Sequence, residues 1–332
     1  MRPLHHGSAC SSLVPSEVSA VPRSARNLWP VAQKTIEIPD LTGQTWLITG
    51  ATSGVGLETA RAASDRGARV VLAVRDTVRG CEVAAALPGP SRVVELDLSS
   101  LDSVRTAADE LRSGDPEPID VLVNNAGAIT TRRQETADGS ELLLGVNVLG
   151  PFLLTNLLLG SVRRRVVIVG SNAHKAATFD FDDPHFRNAH GRRRRWTPAS
   201  AYAQSKLGDM LWGLALDQRL RDGRAEAAVA GVDVQLTHPG WAATGISNAS
   251  GNAVVDKMIT GVCSVFAQPA SQAALTTMFA ATRPLPPCSY VGPDAFRNLR
   301  GMPTLIGRSA EASDPAVADR LWEFAEAETA GA

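Results

Sequence analysis

Cysteine is scarce: there are four in 332 residues, at Cys10, Cys81, Cys263 and Cys288. They form no C-x-x-C pair, and no histidine stands at metal-ligand spacing from them. A disulfide framework and a zinc site are therefore not expected, and the expected compartment is a reducing cytoplasm. Charge of either sign is not in surplus, since 33 basic and 34 acidic residues leave a formal net charge of −1. That balance lacks the basic excess by which nucleic-acid binders attract phosphate. The apolar run of ~7–15 residues that a secretory signal needs is also missing near the N-terminus. One stretch, Leu142 to Val162, approaches the ~20 apolar residues of a membrane span. Asn147, Gly150, Pro151, Thr155 and Asn156 interrupt it, so no membrane span is expected there. A soluble helix packed on a sheet and on another subunit explains it better.

What is present is a hydrophobic content of 44%, enough to bury a sizeable core. Residues 1–33 stand apart, rich in Ser and Pro and without apolar periodicity, and read as a disordered extension. A start codon assigned too early, with the true one at Val31, would explain that extension. From residue 34 onward short apolar runs alternate with helical patterns. Thr45–Thr49, Arg69–Val74, Arg92–Leu96, Ile119–Val123, Arg165–Val169 and Val232–Thr237 read as strands. Helices are expected near Val55–Arg66, Thr77–Leu87, from Ser99 or Ser100 to Arg112, over Ser140–Leu159, and from Pro198 to Arg221. Strands alternating with helices imply crossover connections, hence a single doubly wound α/β domain with a parallel sheet. The domain is expected over 34–300, with 301–332 as a C-terminal extension that includes a helix over Pro315–Glu328.

The first strand runs into Thr49-Gly50-Ala51-Thr52-Ser53-Gly54-Val55-Gly56 and then a helix. Glycines there let the backbone turn tightly and approach a pyrophosphate, and the helix start offers free N–H groups and a positive dipole end. This Gly-x-x-x-Gly-x-Gly turn points to a dinucleotide, with Gly50, Ser53, Gly54, Val55 and Gly56 as contacts. The second strand ends at Val74, followed by Arg75 and Asp76. An acid after this strand suits the ribose hydroxyls of NAD, whereas an arginine fork suits the 2′-phosphate of NADP. Arg75 favours NADP(H), and Asp76 keeps NAD(H) open.

Tyr202 and Lys206 are four residues apart and share a face of the long helix. A tyrosine is a poor proton-transfer group near neutrality, its reference pKa being ~10. A neighbouring ammonium and an oxidised nicotinamide ring both favour the phenolate. The pair therefore reads as a proton donor and its activator.

With these landmarks in order, the chain resembles the short-chain dehydrogenase/reductase family across about residues 41–300. The matching residues are Thr49–Gly56, Asp97-Leu98, Asn124-Asn125-Ala126-Gly127, Asn147, Ser171, Tyr202 with Lys206, and Pro239-Gly240 with Thr244. The stretches Asn147–Thr155 and Ser205-Lys206-Leu207 look most like its retinol-dehydrogenase-like and protochlorophyllide-reductase-like branch. The resemblance implies a Rossmann fold and hydride transfer between NAD(P) and a carbonyl or alcohol. It implies that Asp97 and Leu98 flank the adenine, and that Asn124, Ala126 and Gly127 line the cofactor and steady the sheet. Ser171 would bond the substrate oxygen, and Tyr202 would give or take the proton. Lys206 would bind the nicotinamide ribose, Asn147 would hold a water in the relay, and Pro239 and Thr244 would contact the nicotinamide end. Two hydroxyl donors aimed at an oxygen that gains negative charge fit that chemistry.

Ser53 stands where many NADP-using members carry a second basic residue. The segment 172–197 makes the interval between Ser171 and Tyr202 long, and it holds the run Arg192–Arg195, read as a solvated loop, with binding of an acidic substrate group as the alternative. Residues 241–266 read as a substrate lid. The expected protein is an NADP-preferring dehydrogenase of an apolar substrate, assembled as a homodimer or homotetramer. Reduction of a C=C bond, or cofactor binding without turnover, are the alternative readings.

Overall fold

The structure is a computed structural model that describes residues 36–113, 118–188, 195–224, 231–241 and 268–330. Six strands appear where the alternation predicts them: β1 Thr45–Thr49, β2 Arg69–Val74, β3 Ser91–Glu95, β4 Ile119–Asn124, β5 Val162–Val169 and β6 Asp233–Thr237. Two more, β7 Tyr290–Ala295 and β8 Arg300–Leu305, were not legible. Gly292 and Pro293 interrupt β7 and Pro303 interrupts β8, and proline is tolerated in strands mainly near an edge. The sheet order is β3-β2-β1-β4-β5-β6-β7-β8. All neighbours are parallel except β7 and β8.

Alternation along the strands separates two apolar layers. On β1, Leu47 faces one layer while Trp46 and Ile48 face the other. Helices α1 (Gly54–Ser64), α2 (Thr77–Ala86) and α6 (Ala270–Thr282) supply the layer of Trp46, through Ala60, Ala63, Val83 and Met278. Helices α3 (Leu101–Arg112), α4 (Leu142–Ser161), α5 (Pro198–Arg221) and α7 (Pro315–Ala330) supply the layer of Leu47. Chain order reverses direction across the sheet between β1 and β4. That crevice, at the carboxyl ends of the strands, is where open α/β sheets bind ligands.

Helix α4 differs from the uninterrupted helix that the sequence suggests. It opens with one α turn, Leu142–Leu144, passes through a π-helical stretch, Gly145–Leu149, and resumes as α over Gly150–Leu158. Gly150 N–H bonds the carbonyl of Gly145, five residues back. Pro151 has no N–H to give to the Asn147 carbonyl, so the regular ladder cannot pass through this point.

Among the described residues, α4 is the one helix long and apolar enough to cross a membrane, and 72% of its most apolar window is buried inside the fold. Helix α7 covers it: Trp322 meets Phe152 edge-on at 4.8 Å, and Leu321 and Ala325 are fully buried. On α5, Met210, Leu211, Trp212, Ala215 and Leu216 are fully buried as well. Much of the apolar surface of these helices is thus buried inside the described fold. The stretch after residue 300, expected as an appended tail, contributes both β8 and this core helix. Of the described cysteines, Cys288 is a free buried thiol.

Candidate active site

The glycine turn is built for close approach. Gly50 and Gly54 hold φ +66° and +56°, conformations that favour glycine. A Cβ on Gly56 would run into the Asn125 amide and come within 2.5 Å of the Gly50 carbonyl oxygen. The turn is tied to the end of β4 by two residues. Thr49 Oγ1 accepts from the N–H groups of Asn125 (3.0 Å) and Ala126 (2.9 Å), and Asn125 Nδ2 donates to the Thr49 carbonyl at 2.9 Å. Thr49 and Asn125 thus clamp β1 to β4 at the crevice, a role that their motif positions alone did not separate from that of Asn124. The side chain of Asn124 is turned inward instead, donating to Thr155 Oγ1 on α4 at 2.8 Å. Gly127 is exposed at the mouth of the crevice.

Ser53 is the N-cap of α1 and its side chain makes no capping bond. Leu57 is the first residue whose N–H closes a turn of this helix, onto the Ser53 carbonyl. The N–H groups of Gly54, Val55 and Gly56 therefore remain as donors at a positive dipole end. Such an end suits an anion, and the bare glycine surface beside it suits a pyrophosphate, so the residues present fit a dinucleotide.

After β2, Arg75 is exposed and has no hydrogen-bond or ion-pair partner among the described residues. Asp76 behaves differently from a free ribose ligand: its Oδ1 accepts from Arg79 N–H at 2.9 Å and caps α2. After β3, the Asp97 carboxylate takes the Ser99 N–H at 2.9 Å and the Ser99 hydroxyl at 2.7 Å, fixing the turn. Leu98 is buried beside it.

The π-helical stretch of α4 carries Asn147, whose side chain is saturated. Its Oδ1 accepts from Ala128 N–H at 2.6 Å, and its Nδ2 donates to the Ala128 carbonyl at 3.1 Å and to Ser205 Oγ at 2.9 Å. Ser205 in turn donates to the Tyr202 carbonyl at 2.9 Å. Helix α5 starts with a full capping box, Thr197 and Ser200 bonding each other's backbone N–H groups, which sets the phase of the helix a few residues before Tyr202. Lys206 Nζ lies 5.9 Å from the centre of the Tyr202 ring. It donates to the Val169 carbonyl at the end of β5 (3.0 Å) and to Asp209 Oδ2 (2.7 Å). A Cβ on Gly127 would lie 3.5 Å from Asn147 Oδ1 and 3.6 Å from Lys206 Nζ. Asn147, Lys206 and the exposed Gly127 therefore share one wall.

Lys206 and Asp209 are both buried. Burial alone works against the ammonium, but the Asp209 carboxylate and the Tyr202 oxygen outweigh it and hold the Lys206 pKa above the usual lysine value. Burial likewise pushes the Asp209 carboxyl up to about 6, against the pull of Lys206.

Ser171 follows the end of β5 and caps a short 3-10 turn, Asn172–Ala176. Its Oγ accepts from Ala173 N–H at 3.2 Å, which leaves the hydroxyl hydrogen free to donate outward. His174 anchors the Ser171 carbonyl from Nδ1 at 2.6 Å, and its Nε2 accepts from Ser309 N–H at 3.2 Å. The ring is therefore neutral with the proton on Nδ1, and burial keeps its pKa below the usual value. His238, at the end of β6, is pushed down to about 4 by burial. The next residue, Pro239, offers its carbonyl to Gln268 Nε2 at 2.6 Å.

Within 172–197, Phe179 enters the main core and Phe186 packs with Leu143 and Ala201, with Trp196 and Tyr202 at the edge of that cluster. Arg195 is exposed. Thr244, residues 242–266 of the expected lid, Arg192–Arg194 and the extension 1–33 lie outside the described residues. Among the described residues no group of three or more His, Cys, Asp or Glu is placed to hold a metal.

The short chain dehydrogenase family matches residues 44–181. Retinol dehydrogenase 13 of Mus musculus is 34% identical over 296 residues, which cover 85% of this chain and 82% of the relative. The chain belongs to the short-chain dehydrogenase family, in its retinol-dehydrogenase-like branch.

Polyprenol dehydrogenase of Mus musculus is 41% identical over 224 residues, 61% of this dehydrogenase and 64% of the relative. A crystal structure of an uncharacterized protein from Mycobacterium paratuberculosis is 36% identical to it, covers 89% of this chain and 96% of its own, and has a TM-score of 0.73. Two short-chain dehydrogenases of Burkholderia, 24% and 20% identical with TM-scores of 0.55 and 0.54, share the fold and were solved as complexes with NADP and with NAD.

Four residues of this site escaped the sequence reading: Thr49 and Asn125 as clamps, Ser205 and Asp209. Asp209 had a readable signal, since it lies three residues after Lys206 on the same helix. The partner of Ser205 is 58 residues away in the chain, so nothing local pointed to it.

Proposed function

We propose that this dehydrogenase interconverts a long apolar alcohol and its aldehyde or ketone, with NADP(H) as the preferred cofactor. The observation that carries the reading is the shared wall of Asn147, Lys206 and Gly127 beside Tyr202. Gly127 leaves it open while both polar side chains are buried and fixed. When bound, the nicotinamide supplies or accepts the hydride. The Gly50–Gly56 turn and the start of α1 would hold its pyrophosphate, and Arg75 its 2′-phosphate.

Tyr202 gives the proton to the developing alkoxide, or takes it in the other direction. Ser171 donates its free hydroxyl hydrogen to the same oxygen. Preorganised donors of this kind stabilise charge where it develops. Lys206, held by the Val169 carbonyl, keeps a positive charge near the Tyr202 ring. Asn147 fixes the backbone of Ala128 and, through Ser205, the turn of α5 that presents Tyr202.

Two observations support NADP(H) over NAD(H): Arg75 has no partner among the described residues, and one oxygen of the Asp76 carboxylate is engaged in capping α2. The substrate class is supported by relatives named for retinol and polyprenol. It is also supported by the apolar cluster of Leu143, Phe186, Ala201 and Trp196 around Tyr202. The test is a steady-state comparison of NADPH and NADH oxidation with retinal, long-chain aldehydes and small polar ketones. The reading expects turnover of the apolar aldehydes with NADPH. Turnover only of polar ketones, or NADH preferred over NADPH, overturns it.

A further inference from the structure

We propose that Asp209 is a positioning residue that acts through Lys206: it is the counter-charge that keeps the buried Lys206 ammonium protonated and its Nζ fixed beside Tyr202. The proposal deepens the reading given above and rests on it for its catalytic meaning.

Lys206 is 5% exposed and Asp209 is 2% exposed. An ammonium so far out of water is costly unless paired. The Val169 carbonyl supplies a hydrogen bond but no charge. The titratable groups that face the pair are Tyr202 on α5, His238 at the end of β6 and Tyr290 on β7. Burial holds His238 neutral above about pH 4, and burial drives the Tyr290 phenol well above its usual range. Neither can balance Lys206. Among the described residues Asp209 alone brings a full negative charge to it, at 2.7 Å. With the Asp209 pKa at about 6, the carboxylate is ionised across the neutral and alkaline range. Without it, burial would drive Lys206 toward the neutral amine, and the positive charge beside the Tyr202 ring would be lost.

The chain has only two tyrosines, and burial delays the ionisation of Tyr290. Phenolate absorbance during a pH titration of the full-length protein therefore reports Tyr202, with Tyr202→Phe as the blank. Asp209→Asn keeps an acceptor of the same shape and removes the charge, and Asp209→Ser repeats the test with a smaller side chain. The expected result is that the Tyr202 midpoint rises by half a pH unit or more in both variants, while Asp209→Glu stays near wild type. A midpoint that is unchanged or lower in the folded variants overturns the proposal. So does failure of both variants to fold, judged by circular dichroism, since Asp209 would then serve stability rather than Lys206. The titration uses neither cofactor nor substrate. A wild type without dehydrogenase activity would therefore sink the functional reading without touching this result.

Discussion

Asn147 on α4 donates to Ser205 on α5 at 2.9 Å, one residue before Lys206. The bond ties the π-helical stretch to the turn that carries Tyr202 and Lys206, so two helices distant in sequence set one geometry. Removing it should be felt in rate more than in stability. Ser205→Ala is expected to lower kcat several-fold while the thermal midpoint falls by no more than several degrees, the two hydrogen bonds lost being worth about 1 kcal/mol each. Steady-state rates and thermal melts on the same preparations check this.

Tyr202→Phe removes a hydroxyl and keeps the ring that packs beside Phe186 and Trp196. General acid–base catalysis contributes roughly 10²- to 10⁴-fold, so kcat should fall by at least two orders of magnitude. The fold and the dissociation constant for NADPH should hardly change. A variant within tenfold of wild type would remove Tyr202 from the chemistry.

Arg75→Ala should separate the two cofactors. A charged hydrogen bond is worth about 1.5–3 kcal/mol, which amounts to a loss of roughly ten- to a hundredfold in NADPH affinity. NADH binding should stay nearly constant. Titration of intrinsic tryptophan fluorescence with each cofactor measures both, and equal losses would show that Arg75 does not meet the 2′-phosphate.

Gly56→Ala places a methyl group against the Asn125 amide and the Gly50 carbonyl. Overpacking of this kind typically costs about 1–3 kcal/mol. Here it falls on the clamp between β1 and β4, so cofactor affinity should drop together with the denaturation midpoint. Wild-type affinity for NADPH would mean that the turn does not cradle the pyrophosphate.

His238 gives the stability a pH dependence. Its folded pKa, about 4, lies below the ordinary value of 6.5, so between those values the unfolded chain binds the proton and the folded one does not. Stability is then lost as pH falls from about 6.5 toward 4, by roughly 3 kcal/mol at most. Asp209, raised to about 6, acts with the opposite sign in the same window, adding relative stability as pH falls. The His238 part is therefore read as the difference between wild type and His238→Gln. Urea midpoints from pH 7 to pH 4.5 should fall less steeply in the variant. Parallel curves would show that the imidazole is already protonated or solvated in the folded protein.

The amino-acid pattern determined much of this protein by itself. Strands β1 to β6, the glycine turn and the Tyr202–Lys206 spacing depend on local periodicity, on backbone freedom at Gly50 and Gly54, and on i to i+4 proximity, all of which are written within a few residues. The family likeness adds Asn147 and Ser171, whose roles require neighbours that the local sequence does not name. Tertiary structure alone decided the rest. The kink of α4 that turns Asn147 toward Ala128 and Ser205 has a local cause in Pro151, but its consequence lies 58 residues away. The pairing of Lys206 with Asp209 becomes significant only because α5 is buried by the sheet on one side and α7 on the other. Helix α7 itself reads as a tail from composition. It becomes core because Trp322 finds Phe152, and such long-range apolar contacts carry no signature in the order of residues.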